Sequence, residues 1–578
     1  MIPLAPSSGE YNSYDGTTRR LSYDKDINSI TYMHMLSDLC DSTNGYFTYD
    51  VSTNGGTTWS LNQPPIYGPQ SSHSPNCATW GSRPGHRPLG MIYNPAGNTN
   101  PNAAHLPYAG VWYGTPGGKL NGTGHLNLSA PNENYDSLSS GNAISPEDIF
   151  ITKTGTSWII GELENSFAYA DTLVILRGAW NGSDFVYTYY PVHYVTPNNA
   201  GFLDMKVVFN DNGQTGYIAM ISNPLFISVL KTTDGGNSWS CPTDIDVSTG
   251  LDSALKNQGA LYQTGMNLDI VIDMNDNLHI ITHISEYNSQ GWYLQYPYGE
   301  NGTFDIYTTD GGNTYYGQLL AHPQTVGASF GTQGVDEIIQ FQRHFASRTW
   351  DGSKLFFGFF DTDTMTFGIF ENLNPDLRLI GYDVVTNKWT ADLSNLQNIN
   401  SGENITTGSN ADGICTFGNG SYYSIDNGGT YSVPVSYARM NSGLPFDNFY
   451  IDCAAPTGSF TYDGHPLSLT VSQLNTLCDG GDGVVLSTNE LKTDLIVSSN
   501  YPNPFTGKTS VDVTLANAGE VSIEISNVVG QTLLSSNYKN LHAGLNTLTI
   551  DGSELSHGLY FFTVKAGISS VTRTMAVE

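Results

Sequence analysis

Charge is scarce in this chain, and positive charge scarcest. Asp, Glu, Lys and Arg together make up 13% of the 578 residues, with 22 basic against 53 acidic side chains and a net charge of −31. A chain so poor in lysine and arginine cannot neutralise a phosphate backbone, which excludes nucleic acid as a partner. Long apolar runs are missing as well. No window holds the ~18 consecutive apolar residues that span a bilayer, so no transmembrane segment is expected. Met1-Ile2-Pro3-Leu4 runs straight into polar sequence without a secretory h-region; the expectation is a leader already removed or a numbering that starts after it. Alanine, leucine, lysine and glutamate are too thin to build long helices. CxxC, HExxH and paired Cys/His spacings are absent, which leaves a zinc site without support.

What is present points to β-structure. Aromatic residues reach 12%, with 35 Tyr, alongside 62 Gly. This is an all-β composition, in a chain long enough for two to four domains. The six cysteines, Cys40, Cys77, Cys241, Cys415, Cys453 and Cys478, form an even set that favours disulfides in an oxidising compartment. Local pairing of Cys40 with Cys77 and Cys453 with Cys478 would leave Cys241 with Cys415, but the spacing leaves the connectivity open.

Four windows share one pattern: Ser52 to Trp59, Thr232 to Trp239, Thr308 to Tyr315 and Ser424 to Tyr431. Each reads Ser/Thr, Asp/Asn, Gly, Ser/Thr, aromatic, carried by Ser52, Asn54, Gly56 and Trp59; Thr232, Asp234, Gly236 and Trp239; Thr308, Asp310, Gly312 and Tyr315; and Ser424, Asp426, Gly428 and Tyr431. In such a turn the carboxylate or amide bonds to backbone N–H groups, glycine supplies a positive φ, and the aromatic ring packs beneath the loop. The windows resemble the Asp-box (BNR repeat) of sialidase-type β-propellers. Their starts differ by 180, 76 and 116 residues, three, one and two units of about sixty. About seven blades would then fill residues 1–455. Hairpin signals at Val207 to Gly213, Val271 to His279, Trp350-Asp351-Gly352 and Tyr382 to Trp389 agree with that reading. Residues 456–490, rich in Gly, Asp, Ser and Thr, read as a linker.

From residue 491 to 578 the pattern becomes short period-2 strands: Val511/Val513/Leu515, Val521/Ile523/Ile525, Leu548/Ile550 and Phe562/Val564. That alternation predicts an immunoglobulin-like antiparallel β-sandwich. Tyr501-Pro502-Asn503-Pro504-Phe505, the turn at Gly530, the stretch opening at Gly558 and the closing TRTMAVE resemble the type A sorting domain of the type IX secretion pathway of Bacteroidetes. The resemblance implies a secreted protein, on the outer-membrane surface or extracellular, with the type IX translocon and its sortase machinery as partners.

For chemistry, a sialidase-like site would need an arginine cluster gripping a carboxylate, a Tyr/Glu nucleophile pair and an acid/base Asp. The chain has ten arginines; Arg83, Arg87 and Arg343, with Glu337, are the catalytic candidates. Glu147/Asp148, Glu162/Glu164, Asp336/Glu337 and Asp361/Asp363 could supply paired carboxylates, each with turn or surface chemistry as the alternative. Asp273, Asn275 and Asn277 carry an oxygen spacing that suits calcium, the one cofactor the sequence suggests, again with a plain β-turn as the alternative. The function expected is a binding, adhesion or structural component of the cell surface, contacting surface glycans or copies of itself. The alternative is an extracellular sialidase-like glycoside hydrolase.

Overall fold

The computed structural model describes residues 2–6, 19–35, 47–62, 76–80, 89–96, 108–114, 125–127, 143–164, 172–180, 185–194, 202–222, 226–240, 242–247, 261–287, 301–322, 344–362, 375–393, 403–404, 416–439, 447–454, 462–464, 467–473, 478–480, 484–486, 495–497, 500–515, 518–527, 531–542, 544–553, 555–566 and 569–577. The chain is all-β and divides into two compact units, Met1–Leu486 and Ser487–Glu578.

The first unit is a succession of antiparallel sheets in which most strands pair with the one before them. The first strands of seven such sheets are Leu21–Asp24, Asn76–Trp80, Ala143–Ile151, Phe202–Phe209, Leu261–Ile272, His344–Arg348 and Thr416–Gly420. The hairpins expected from sequence form at Phe209 to Gly216, Ile272 to Leu278, Arg348 to Leu355 and Asp383 to Lys388. These strands read as runs of apolar residues because both faces are covered. Leu355, Phe356, Phe357, Phe359 and Phe360, for instance, are all buried.

The first strands pack on one another in chain order. The last two contacts, sixth sheet on seventh and seventh on Leu21–Asp24, close the order into a ring. Ile2–Pro3 pairs with Asp447–Ala454, so the amino-terminal strand completes the seventh sheet.

Residues 456–490, expected to be a linker, instead supply strands to this unit. Leu467–Gln473 inserts between the outer strands of the fourth and fifth sheets and joins them, and Cys478–Gly480 and Val484–Leu486 pair with Phe185–Tyr194 of the third. The alternation in LSLTVSQ is a strand signal inside a Gly- and Asp-rich stretch, and outer strands left unpaired would present open backbone groups.

Among the cysteines, Cys40, Cys241 and Cys415 lie outside the described residues. Cys77, Cys453 and Cys478 fall on strands of the second, seventh and third sheets. No disulfide occurs among the described residues.

The second unit has two antiparallel sheets around one core. Leu495–Val497, Lys508–Leu515 and Gly544–Asp551 form one; Thr532–Leu541, Gly519–Asn527, Gly558–Ala566 and Ser569–Val577 form the other, in that order. Val511, Val513, Leu548 and Ile550 of the first meet Val521, Ile523, Ile525, Phe562, Val564 and Met575 of the second.

Candidate functional site

At the centre of the ring stands Arg19, which precedes the first strand of the first sheet. Its guanidinium reaches Asp148 of the third sheet at 3.1 Å and Asp269 of the fifth at 3.2 Å, and donates to the Val207 carbonyl of the fourth at 3.0 Å. Phe150 and Tyr422 offer ring faces to it at 5.9 and 5.4 Å.

The aspartates also tie neighbouring first strands together. Val207 N–H donates to Asp148, Leu268 N–H to Asp204 and Ala346 N–H to Asp269, at 3.0, 2.8 and 2.8 Å. Each bond therefore runs from one sheet's aspartate to the next sheet's backbone, and Lys206 Nζ closes on Asp204 at 2.7 Å. Burial pushes Asp148 up to about 6 against the pull of Arg19 and Lys206, and burial likewise raises Asp204.

A second polar cluster lies on the fifth sheet. His279 is buried, which opposes its charge, yet Nδ1 lies 2.8 Å from Asp305 and Nε2 3.9 Å from Asp273, and these carboxylates raise it to about 9. A small cavity beside it is lined by Tyr307, Gln318, Tyr382, Asn387 and Trp389. Further along the same strand His283 contacts Ser285 Oγ at 2.6 Å, and His344 contacts Asn267 at 2.8 Å. Burial lowers these two imidazoles to about 4 and about 3.

Asp273, the head of the suggested calcium set, serves its own turn. It accepts from the N–H groups of Asn275 and Asn277 at 2.8 Å each and from Asn277 Nδ2 at 3.1 Å, while its other side faces His279. These bonds close a β-turn. No group of three or more His, Cys, Asp or Glu able to hold a metal occurs among the described residues.

Three of the four repeated windows share one hydrogen-bond network. Ser52, Thr232 and Thr308 each accept the N–H of the glycine four residues on and donate to Asn54, Asp234 and Asp310. Those side chains in turn cap the N–H of Thr58, Ser238 and Thr314 at 2.9–3.0 Å. The aromatic ends the turn: Trp59 Nε1 bonds back to the Gly56 carbonyl, Tyr315 is buried, and Trp239 packs edge-on against Trp158 of the third sheet. Gly236 has φ +74°, and a Cβ there would lie 1.9 Å from the Trp158 ring.

The fourth window departs from this. Asp426 accepts from Gly428 and Gly429, and the turn closes a hairpin between Ile425–Asp426 and Tyr431–Arg439. It connects the first strand region of its sheet to the second, whereas the other three windows follow the third strand.

Most of the sequence's catalytic candidates lie outside the described residues: Arg83, Arg87, Glu337 and Arg343, together with Asp336 and Asp363. Asp148 reaches the ring centre, and Asp361 is buried on its strand. Two further arginines of the first unit are held by side chains, Arg177 by Asn237 at 2.7 Å and Arg348 by Asp211 at 3.1 Å. Sequence reasoning missed Arg19, Asp204 and Asp269. The available signal was a lone aspartate inside each first-strand run, in PEDIFI, FLDMKVVF and MNLDIVI.

In the second unit Tyr501, Pro502, Asn503 and Pro504 are exposed and Phe505 is buried, the two X-Pro bonds being cis. Asn503 Oδ1 accepts the Ala576 N–H at 2.8 Å, and Phe505 N–H donates to the Ala576 carbonyl at 3.1 Å. Gly530 lies outside the described residues; Gly558 opens its strand.

No helix is long and apolar enough to cross a membrane among the described residues. No curated protein sequence matches the chain. Among solved structures, an α-L-arabinanase of Penicillium chrysogenum is 12% identical over 63% of this chain and 90% of that one, with a TM-score of 0.33. A sialidase of Trypanosoma rangeli is 11% identical over 94% and 88%, with a TM-score of 0.33. PorZ of Porphyromonas gingivalis, a surface component of the type IX secretion system, is 12% identical over 98% and 87%, with a TM-score of 0.17. Residues 499–578 match the family model described as a secretion system C-terminal sorting domain, so the chain carries a type IX sorting tail and is a secreted protein, destined for the cell surface or the extracellular space.

Proposed function

We propose that the first unit is a seven-bladed β-propeller with Asp-box turns, and that the exported protein works by binding or as a structural component of the surface rather than by hydrolysis. One observation carries the functional part. Asp148, Asp204 and Asp269, the carboxylates gathered at the ring centre, are buried and each is committed to the backbone amide of the next sheet. A hydrolase would aim two carboxylates at a glycosidic bond; here they hold sheets together around Arg19.

The propeller reading is supported by the closed packing order of first strands, the amino-terminal strand that completes the last sheet, and the three matching turns at one place in their sheets. The six cysteines suit oxidation after export. The test uses full-length protein recovered from the cell surface, passed over a glycan array and a panel of chromogenic sialosides and arabinofuranosides. Retention on glycans, or self-association seen by light scattering, without turnover is expected. Turnover above background would sink the reading and favour the glycosidase.

A further inference from the structure

The sorting tail is held together by its two ends. Ser569–Val577 is an edge strand of its sheet, so the amide of Ala576 on its open side has no strand of that sheet to pair with. Asn503 supplies the partner from 73 residues away, at 2.8 Å. Phe505 N–H takes the Ala576 carbonyl, and Phe505 pairs in parallel with Val577 while its ring sits in the core.

The other flank of this hook is fastened to the opposite sheet. Tyr501 pairs with Ser510, Thr509 Oγ1 donates to the Pro502 carbonyl at 2.8 Å, and Asn500 Nδ2 donates to the same carbonyl and to Thr509 at 3.1 and 3.0 Å. The hook thus bridges both sheets. Its outward residues, Tyr501 to Pro504, are exposed, as are Arg573 and Thr574 on the closing strand.

We propose that the export machinery reads a composite surface made of the Tyr501–Pro504 hook and the closing strand Ser569–Val577, with Asn503 as the positioning residue that fixes one against the other. The two parts lie side by side only in the folded tail, through the Asn503 and Phe505 bonds to Ala576, so the signal is a feature of the fold rather than of a free carboxyl-terminal peptide. This rests on reading residues 499–578 as a sorting domain.

The experiment compares the full chain with three variants in the native host: Asn503→Ala, Asn503→Asp and deletion of residues 569–578. Export is measured as the cell-surface fraction, and hydrogen exchange at the Ala576 amide is measured on purified full-length protein. Aspartate keeps the acceptor oxygen; alanine removes it. Loss of one ordinary hydrogen bond should speed that exchange about tenfold in Asn503→Ala. A several-fold fall in its export, with both readouts restored in Asn503→Asp, is the result expected.

Faster exchange in Asn503→Ala with unchanged export, while the deletion abolishes export, would overturn the composite surface and leave the sorting tail standing. Unchanged exchange would overturn the positioning role of Asn503. A deletion that exports normally would instead remove the sorting reading itself.

Discussion

His279 and His283 lie four residues apart on the strand Leu278–Tyr287 and are driven in opposite directions, His279 up to about 9 and His283 down to about 4. Both are buried, which alone favours the neutral form. The difference is the company each keeps: Asp305 and Asp273 flank His279, whereas His283 has Ser285 beside it and the imidazole of His322 acting on it.

The contribution of these histidines to stability should therefore peak near pH 6.5 and fall on both sides. A raised histidine stabilises fully below its unfolded value of 6.5 and loses that contribution as pH climbs through about 9. A lowered one does the reverse: no penalty applies above 6.5, and the cost accrues as pH falls toward about 4, with His344 adding to the same limb toward about 3. Denaturant midpoints at pH 4.5, 6.5 and 8.5 would check this. His279→Asn should flatten the alkaline limb and His283→Gln part of the acid limb. A profile unchanged by either variant would contradict the assignment.

Arg19 touches both Asp148 and Asp269. Replacing it with methionine leaves two buried carboxylates with a lost partner, a change that costs about 3–5 kcal/mol where it has been measured in buried pairs. Lysine should recover little, since one ammonium cannot span both carboxylates and the Val207 carbonyl as the guanidinium fork does. Guanidinium unfolding of both variants gives the answer. A loss under 1 kcal/mol in Arg19→Met would mean that the ring does not depend on its centre.

The turns give a graded series. Asn54 fills in the first window the place that Asp234 and Asp310 fill in the others, with the same cap on the residue four along. Asp234→Asn should accordingly be nearly neutral, and Asp234→Ala should cost about 1 kcal/mol, the usual worth of a side-chain cap. Gly236→Ala should be far worse, above about 3 kcal/mol, because it combines strain at φ +74° with a clash against a core tryptophan. Thermal melts of the three, compared within one buffer, would order them.

The parts legible in the sequence were those with local rules. The tail strands show because one face is buried and one is wet, as the alternating burial of Gly544–Asp551 records. The hairpin at Ile272 to Leu278 shows because Asp273 must cap its own turn. The ring centre was not legible, since Arg19 meets Asp269 across 250 residues and no spacing encodes that meeting. The fourth window misled for a related reason: SIDNGGTY satisfies the pattern, but its place between the first and second strands makes it a plain hairpin. Which strand a turn follows is a property of the sheet, and a motif carries no record of it.

Two aromatic residues of the hook should separate anchoring from display. Phe505 is 2% exposed, surrounded by the core shared by both sheets, and it carries the pairing with Val577. Phe505→Ala should destabilise the second unit by about 3–5 kcal/mol through lost burial and the cavity left behind. Tyr501 is 49% exposed, and its hydroxyl donates to Asp512, itself half-buried, at 3.0 Å. Tyr501→Phe removes one solvent-competed hydrogen bond and should leave stability nearly unchanged. Hydrogen exchange of the strand Gly519–Asn527, at the middle of its sheet, reports the unit's global opening in the full chain. Protection that survives Phe505→Ala would show that the hook decorates a sandwich able to stand without it; protection lost there and kept in Tyr501→Phe would make Phe505 the anchor and Tyr501 part of the displayed surface.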